Sequence, residues 1–336
     1  MSAPQDPTFQ APPPPSTPEG EPVGSRAGEL RPFAIAAFVL GVIFIVGGLA
    51  KFLPGGIGTG AALCFLGILW FALSFIRRPP IAETEARLSW FEKVTGIFYE
   101  PARVFRNLRV HPYWFGALLT IWVLTQIYST AFIQRITPER IVDHTVEKLS
   151  QMGPPFAPPP EALDKIRTDQ LEALKNPVQR VGTALKSLVA LFCLGAIGAG
   201  VSLLLILVFG GRTNFWQVLA VTLYATLPIV AIQKILGLVI LYLKSPDDLH
   251  PILNQETTLQ DNLGILFSPA NHPILFVMAS FIGFTSFYGL WLRAKGLHYG
   301  STKVSKGAGW GVAICLWVVL LLFATILTAL FPGFIS

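Results

Sequence analysis

Histidine, cysteine and acidic residues could give this chain metal-binding or catalytic chemistry, but none of them forms a recognised motif. The five histidines are widely separated in the sequence: His111, His144, His250, His272 and His298. His250 lies close to Asp247 and Asp248, and these three residues could ligate a metal ion. Their spacing matches no known metal-binding signature, which favours a solvated loop. The three cysteines all lie within apolar runs, where a thiol behaves as a small hydrophobe: Cys64, Cys193 and Cys315.

The motifs of hydrolases and nucleotide-binding enzymes are also missing from the sequence. It contains no nucleophile elbow, no phosphate-binding loop and no pair of carboxylates inside an apolar run. We therefore predict that the protein is not an enzyme and that it has no catalytic residue, no metal site and no cofactor.

Lys234 is the candidate intramembrane charge. It lies in the long apolar run 215–243, a few residues after Pro228. An ionisable residue inside a membrane span marks a functional site by default. The Lys234 side chain either snorkels to the outer interface or points into the bundle. Lys234 follows the preceding turn by roughly twenty residues, which is about the length of one span. The sequence favours the first alternative.

The composition indicates a membrane protein. Of 336 residues, 52% are hydrophobic and only 13% are charged, whereas soluble domains carry about 25% charged residues. The net charge of +6 comes from basic residues scattered beside apolar runs. This distribution is typical of the positive-inside bias of membrane proteins and not of a nucleic-acid surface, so we expect a lipid bilayer and no nucleic acid as partner.

Seven apolar runs have roughly the length needed to cross hydrocarbon: 33–53, 60–76, 113–134, 187–209, 215–243, 273–291 and 310–330. We predict an all-α fold, a multi-pass transmembrane helical bundle of about seven spans. Residues 1–30 are predicted to be a disordered proline-rich cytoplasmic tail, 31–78 a two-span hairpin and 79–112 a cytoplasmic amphipathic segment. A five-span domain with a helical external loop at 135–182 is predicted for residues 113–331.

The basic residues also predict the orientation of the spans. Arg77 and Arg78 follow the first hairpin directly, and a second basic loop lacks acids and contains Arg293, Lys295, Lys303 and Lys306. The positive-inside rule places these segments in the cytoplasm. We therefore expect a multi-pass protein of the plasma or inner membrane with its amino terminus in the cytoplasm and its carboxyl terminus outside.

A tight turn at residues 209–214 is predicted to be a cytoplasmic hairpin between two spans. Gly210 and Gly211 accept backbone conformations that other residues resist, and Arg212 should stay outside hydrocarbon. Thr213 or Asn214 can cap the helix that follows.

The amphipathic segment carries two short helical patterns separated by Pro101. In the first, one face holds Trp90, Phe91, Val94, Ile97 and Phe98, and the opposite side holds Glu92, Lys93, Thr95 and Glu100. In the second, Val104, Phe105 and Leu108 oppose Arg103, Arg106 and Arg109. Such a segment either lies in the lipid headgroup plane or packs on the protein's own cytoplasmic loops, and both interpretations stay open.

Two longer stretches carry a resemblance to a known family. They are FYEPARVFRNLRVHPYWFGALL at 98–119 and GGRTNFWQVLAVTLYATLPIV at 210–230, the latter with Tyr224 and Pro228. Together with Trp291, Gly296 and Leu297 before the final span, they resemble the YIP family of Ypt/Rab-interacting membrane proteins, specifically its bacterial branch. The resemblance covers about 90–330 and leaves the amino-terminal hairpin as an addition. The cytoplasmic Asp-Leu-Tyr-Gly-Pro element of eukaryotic members is absent.

The resemblance implies a five-span bundle that acts through membrane and protein contacts in trafficking or envelope organisation. Our first hypothesis is accordingly a noncatalytic scaffold that recruits protein partners or contacts lipid through the segment from Trp90 to Arg109. The alternative is a small transporter or channel that uses the proline-containing helix near Lys234. Neither the protein partner nor the formation of homo- or hetero-oligomers is determined by the sequence.

Overall fold

A computed structural model describes residues 27–28, 30–77, 86–151, 158–256 and 258–330. The tail predicted for residues 1–30 falls almost entirely outside these residues. The described chain is helical, and its α-helices are α1 Leu30–Leu49, α2 Gly56–Leu73, α3 Trp90–Tyr99, α4 Pro101–Val110, α5 Phe115–Ile136, α6 Pro138–Ser150, α7 Pro160–Lys175, α8 Pro177–Val208, α9 Phe215–Leu243, α10 Leu253–Glu256, α11 Pro273–Ser280, α12 Phe284–Gly300 and α13 Lys306–Leu330. Two short 3₁₀ turns, Pro246–Asp248 and Leu263–Leu266, lie between α9 and α11.

Six helices of the described chain are long and apolar enough to cross a membrane: α1, α2, α5, α8, α9 and α13. This confirms the predicted multi-pass helical bundle. Many of their large apolar side chains are exposed, as lipid-facing positions must be. Helix α8 has 32 residues, about 48 Å at 1.5 Å per residue, and so extends beyond a hydrocarbon layer of about 30 Å.

The run 273–291, predicted as a single span, is divided between α11 and α12 by residues 281–283. The backbone of a neighbouring segment fills the break. The N–H of Leu263 donates to the carbonyl oxygen of Ile282 across 2.9 Å, and the N–H of Phe284 donates to that of Asp261 across 3.2 Å. The Asp261 carboxylate also accepts from the N–H of Thr285 across 2.6 Å. The peptide groups freed by the break are thus satisfied within the protein.

Helix α9 lies at the centre of the bundle and contacts α3, α4, α5, α8 and α12. Nearly every residue of 216–228 is buried, which explains why this helix is apolar on all sides. Pro228 removes one backbone hydrogen bond inside α9, yet the helix continues without a break from Phe215 to Leu243.

The amino-terminal hairpin of α1 and α2 packs on the bundle through aromatic rings. Trp70 of α2 lies 5.7 Å from Phe192 of α8 and 6.3 Å from Trp114, which precedes α5. Trp114 is only 4% exposed. The hairpin is therefore seated against α8 and the start of α5.

The short turns meet at one end of the bundle. The backbones of Arg212 and Lys303 pair through two hydrogen bonds of 2.7 and 2.8 Å, which joins the turn before α9 to the turn before α13. The Asn214 side chain donates to the carbonyl oxygen of Arg77 across 2.7 Å, which brings the end of α2 to the same place. We call this the basic end, since it gathers Arg77, Arg103, Arg106, Arg109, Arg212, Lys303 and Lys306.

The opposite end, which we call the loop end, holds α6, α7 and the segment 244–272. Arg135 donates to the carbonyl oxygen of Lys244 across 3.1 Å, and Arg140 donates to that of Pro246 across 2.6 Å. The segments that the positive-inside rule assigns to the cytoplasm thus lie together at the basic end, and the loops that it assigns to the outside lie together at the loop end. Which end faces the cytoplasm stays a prediction.

Candidate functional site at the basic end

The segment α3–α4 is held in place by side-chain to backbone hydrogen bonds. The Ser89 hydroxyl accepts from the N–H of Glu92 across 3.2 Å, and the Glu92 carboxylate accepts from the N–H of Ser89 across 2.7 Å, which forms a capping box. These hydrogen bonds hold the pKa of Glu92 below its usual value. Asn107 of α4 donates to the carbonyl oxygen of Ala86 across 3.0 Å and so ties the chain before α3 to α4.

Helix α4 buries its apolar side against α12 and α9. Val104, Phe105 and Leu108 are at most 1% exposed. The Phe105 ring lies over Gly296 of α12, where an added Cβ would stand 2.9 Å from the ring. On the other side, Arg103 is exposed and lies 3.1 Å from Glu100. Arg106 is also exposed, and Arg109 is partly exposed.

Helix α3 leaves large aromatic side chains uncovered. Trp90, Phe91, Phe98 and Tyr99 are 55%, 66%, 43% and 68% exposed, and we call these four residues the aromatic surface. The Trp90 ring packs against Gly116 in the first turn of α5, next to the exposed Phe115. The aromatic surface therefore adjoins the lipid-facing side of a candidate span at the point where that span begins.

The buried side of α3 differs from the predicted one. Ile97 is fully buried, whereas Phe91 and Phe98 of the same predicted face are exposed. Lys93, predicted on the polar side, is only 2% exposed, and its ammonium lies 5.2 Å from the centre of the Tyr113 ring. Burial, together with the neighbouring Arg87 charge, lowers the pKa of Lys93 to about 8. The prediction for Lys93 is wrong because α3 also packs against α9 and α5.

The turn at 209–214 closes α8 through its glycines. Gly210 has a φ of 72°, a left-handed conformation that favours glycine. The N–H of Gly211 donates to the carbonyl oxygen of Ile206 across 2.9 Å, and an added Cβ would stand 2.7 Å from the Ile206 side chain. The Arg212 side chain is exposed, and its backbone pairs with Lys303. The role of Gly210, Gly211 and Arg212 as architectural residues stays a prediction.

Gln217 connects four segments at the basic end and was not among the predicted site residues. It is 1% exposed, and its Nε2 donates to the carbonyl oxygen of Arg109 across 2.7 Å. Its Oε1 accepts from the N–H of Asn214 and from the hydroxyls of Thr213 and Thr302, each across 3.1 Å. Its position three residues after the cap Asn214, where a capping box places Gln or Glu, was the available signal.

The comparison with protein families decides the identity of this bundle. A model of the Yip1 domain matches residues 95–328, which is more than half of the chain. The chain belongs to the Yip1 domain family. The resemblance to the YIP family is thereby confirmed, while membership of its bacterial branch stays a prediction. No curated protein and no solved structure matches the chain significantly.

The Yip1 domain begins within α3 and ends in α13, so it includes α4, the glycine turn and the central helix α9. Helices α1 and α2 precede it. Tyr224 and Pro228, two residues that carried the resemblance, lie inside α9 and are buried. Pro228 has no N–H to donate to the Tyr224 carbonyl oxygen. The role of both residues as architectural positions stays a prediction.

In the Yip1 domain, Lys234 lies beneath the loop end. It is 6% exposed, and its ammonium lies 4.7 Å from the centre of the Tyr128 ring. The Tyr128 hydroxyl donates to the carbonyl oxygen of Asn254 across 2.6 Å, so segment 250–256 covers the pair. The structure thus buries the ammonium under the loop end. Whether Lys234 lies at the outer interface or within the hydrocarbon layer stays a prediction.

Two histidines that are far apart in the sequence meet at the loop end. The rings of His144 and His250 lie 5.0 Å apart at nearly a right angle. His250 Nδ1 accepts from the N–H groups of Ile252 and Leu253 across 3.2 and 3.1 Å. Burial, followed by the His144 ring, lowers the pKa of His250. Within the part of the chain that the structure describes, no three His, Cys, Asp or Glu residues cluster as a metal site would require.

Arg293 and Lys295 differ from the prediction as well. Both were expected in a cytoplasmic loop, but both lie in α12, which extends to Gly300. Lys295 lies over the Trp291 ring at 4.2 Å, whereas Arg293 lines a cavity between helices. The position of Arg293 within a helix was not predicted because the apolar run ends at Trp291 although the helix continues to Gly300.

Proposed function

We propose that this Yip1-domain protein is a noncatalytic membrane scaffold that presents the α3–α4 segment at the bilayer surface, where it contacts lipid and recruits protein partners in membrane organisation or trafficking. One observation carries the proposal. Helix α3 exposes four aromatic side chains while the adjoining α4 is fixed to the bundle. A contiguous aromatic surface of this kind marks an interaction site on a protein.

The position of the aromatic surface favours the headgroup region of a membrane. Trp90 packs on the first turn of the candidate span α5, so α3 lies level with the end of a membrane helix. Tryptophan and tyrosine prefer this zone since they combine an apolar ring with a polar atom. The exposed Arg103 and Arg106 on the next helix supply positive charge for anionic headgroups.

The hydrogen bonds of the basic end support a fixed surface. Asn107 ties the approach to α3, and Gln217 ties the end of α4 to α9. A helix held at both ends loses little further entropy when it meets lipid or a partner, which favours binding. The geometry therefore supports a role of the α3–α4 segment as a fixed surface that binds lipid or protein partners.

Fluorescence quenching in proteoliposomes tests this function. A single cysteine is introduced at Phe91 or at the exposed turn residue Arg212, after replacement of the three native cysteines, and is labelled with a small fluorophore. We expect spin-labelled lipids with shallow nitroxides to quench the label at position 91 and to leave the label at position 212 largely unquenched. Equal quenching at both positions by aqueous iodide, with none by lipid, would contradict membrane contact.

The charge contribution has its own test. Quenching at position 91 should increase with the fraction of phosphatidylglycerol in the vesicles. The double substitution Arg103→Gln and Arg106→Gln should abolish this increase while leaving the quenching in neutral lipid unchanged. Indifference of the parent protein to lipid charge would remove the proposed role of Arg103 and Arg106 in contacting anionic headgroups.

A second candidate function, a small transporter or channel, is favoured by the divided helix α11–α12 and by the buried Lys234. Divided helices form the binding sites of many secondary transporters. Proton and potassium fluxes in proteoliposomes, compared between the parent protein and Lys234→Met, test this candidate. Lys234→Met should abolish a protein-dependent flux, and an unchanged flux would remove the proposed role of Lys234.

A further inference from the structure

A second polar feature lies inside the bundle, away from the aromatic surface. It is a cavity of about 210 Å³ between α9, α12 and α13, well above the roughly 15 Å³ that a single water molecule needs. Its polar lining comes from Thr226, Gln233, Thr285, Ser286 and Arg293. The apolar part of the wall includes Trp317.

The cavity is lined in part by two candidate membrane spans, α9 and α13. Thr226 is eleven residues into α9, and Ala313, another lining residue, is seven residues into α13. At 1.5 Å per residue these positions are about 16 and 10 Å from the helix starts at the basic end. Both distances correspond to hydrocarbon depth in a bilayer whose apolar core is about 30 Å thick.

Among the residues that the structure describes, Arg293 has no counter-charge at the cavity. Its guanidinium makes no hydrogen bond or ion pair with any of them, and none of the described lining residues is Asp or Glu. The Asp261 carboxylate already accepts from the N–H of Thr285 at the start of α12. An arginine at this depth is energetically expensive and occurs where it pairs with a charge or serves a ligand pathway.

Ser286 lies on the same side of α12 as Arg293, seven residues earlier, and its hydroxyl likewise makes no hydrogen bond to the described residues. A guanidinium presents a planar fork of donors that fits two oxygens of a carboxylate or a phosphate. We propose that the cavity binds an oxyanion, a phosphate or carboxylate group, with Arg293 as its charge partner and Ser286 as a hydrogen-bond donor. The group belongs either to a small soluble anion or to an anionic lipid headgroup.

Two measurements on the purified full chain in mild detergent distinguish the two sources. Thermal unfolding is compared in inorganic phosphate and in chloride at equal ionic strength, and native mass spectrometry measures retention of phosphatidylglycerol against phosphatidylcholine. A rise of Tm in phosphate assigns the site to a soluble anion. Preferential retention of phosphatidylglycerol without a phosphate effect assigns it to a lipid headgroup.

Substitutions in α12 show whether an effect of phosphate or phosphatidylglycerol arises at the cavity. Arg293→Gln should abolish the effect, and Ser286→Ala should weaken binding about fivefold, as expected for one lost hydrogen bond. Lys295→Gln removes a charge from the same helix at a residue that stacks on Trp291, and it should bind like the parent. Arg293→Lys, which keeps the charge and loses the fork, replaces Arg293→Gln if that variant does not fold, and it should bind more weakly than the parent.

Two results would overturn the proposal. The first is a parent protein that responds to neither phosphate nor phosphatidylglycerol. The second is an equal response in the parent, in the Arg293 variant and in Ser286→Ala. The outcome is independent of the proposed scaffold function, since none of these residues belongs to α3 or α4.

Discussion

The side-chain nitrogen Nε2 of Gln217 donates to the backbone carbonyl oxygen of Arg109 across 2.7 Å. This hydrogen bond joins the last turn of α4 to the first turn of the central helix α9. Since Gln217 also completes the capping box of α9 with Asn214, one buried side chain couples the start of a membrane helix to the position of the amphipathic segment. The position of α4 relative to α9 therefore depends on this residue.

Gln217→Glu should release α4 selectively. A glutamate keeps an acceptor oxygen for the N–H of Asn214 but has no donor for the Arg109 carbonyl oxygen, and its charge faces that oxygen. Leaving a buried carbonyl unpaired costs about 1–3 kcal/mol. Amide hydrogen exchange in 101–110 should therefore accelerate at least severalfold, while exchange in the middle of α9 stays slow. Gln151→Glu, at an exposed position of the loop end, controls for the added charge, and unchanged exchange in α4 would contradict the coupling.

The contact between Phe105 and Gly296 gives a second prediction, for the docking of α4 on α12. An alanine methyl at Gly296 would stand 2.7 Å from Val221 and 2.9 Å from the Phe105 ring. Gly296→Ala should therefore lower the free energy of unfolding by about 1–3 kcal/mol. Titration with a denaturing detergent measures this loss.

A smaller side chain opposite should restore part of the stability. In the double variant Gly296→Ala and Phe105→Leu we expect less destabilisation than the sum of the two single variants, because the two sites are in contact. Gly307→Ala is the matched control, since no described residue beyond its chain neighbours and its own helix backbone lies within 4 Å of an added Cβ there. Additive effects of the two substitutions would refute a direct contact.

The features of this fold that depend on nearby residues were predictable from the sequence. Six of the seven predicted spans correspond to helices long and apolar enough to cross a membrane. Pro101 separates α3 from α4, and Asn214 caps α9. Each of these signals depends on residues within a few turns of the chain. The Yip1 match at 95–328 similarly follows local patterns in the correct order.

Features that depend on distant partners were not predictable. The break before α12 is stabilised by Asp261, and nothing in the apolar run 273–291 reveals that a loop pairs with it. Lys93 is buried because α3 packs against both α9 and α5. The spacing of apolar residues in the sequence does not determine which side of α3 these helices cover. His144 and His250 meet only after α6 and the segment following α9 have come together.

The burial of Lys93 predicts a dependence on alkaline pH. Its pKa is about 8 in the folded protein, against an ordinary value of 10.5. Below pH 8 both states carry the proton, and the cost of burying the charge is fully present. Between pH 8 and 10.5 the unfolded state binds more protons, so stability rises with pH by at most about 3 kcal/mol.

Lys93→Met isolates this effect from other titrations. The variant should be more stable than the parent at pH 7.5, and the difference between the two should shrink as the pH is raised to 10. Thermal unfolding of both proteins across this range measures the difference. A difference in stability that does not change with pH would show that burial does not lower the pKa of Lys93 in the folded protein.

The His144 and His250 contact predicts a dependence of the same sign at the loop end, but in the acid range of pH. His250 Nδ1 accepts two backbone hydrogen bonds, from Ile252 and Leu253, and a proton on Nδ1 would remove both. Because burial and then the His144 ring lower the pKa of His250, the unfolded segment takes up the proton first as the pH falls below about 6.5. Stability of the segment is therefore complete above that pH and is lost as the pH falls through the lowered folded pKa.

Other charges around this contact act in both directions. Lys148 and Arg140 oppose protonation of His250, whereas the carboxylates that line the same depression favour it: Glu139, Asp143, Glu147, Asp247 and Asp248. Three of these carboxylates already pair with basic residues, Asp143 with Arg167, Glu139 with Lys175 and Asp247 with Arg140. Because these ion pairs weaken the attraction of the carboxylates for a proton on His250, we expect the sensitivity of the segment to acid to remain.

Hydrogen exchange in residues 249–256 at pH 7.5 and 5.5, corrected for the intrinsic rates, tests this acid sensitivity. We expect faster exchange at the lower pH in the parent, because the segment loses the hydrogen bonds that hold it. His250→Asn should remove the dependence, since an amide oxygen can accept from the same backbone N–H groups and does not titrate. Equal pH dependence in the parent and in His250→Asn would exclude His250 as its source. The consequence extends to the bundle interior, because the Asn254 carbonyl oxygen that holds Tyr128 over Lys234 belongs to the same segment.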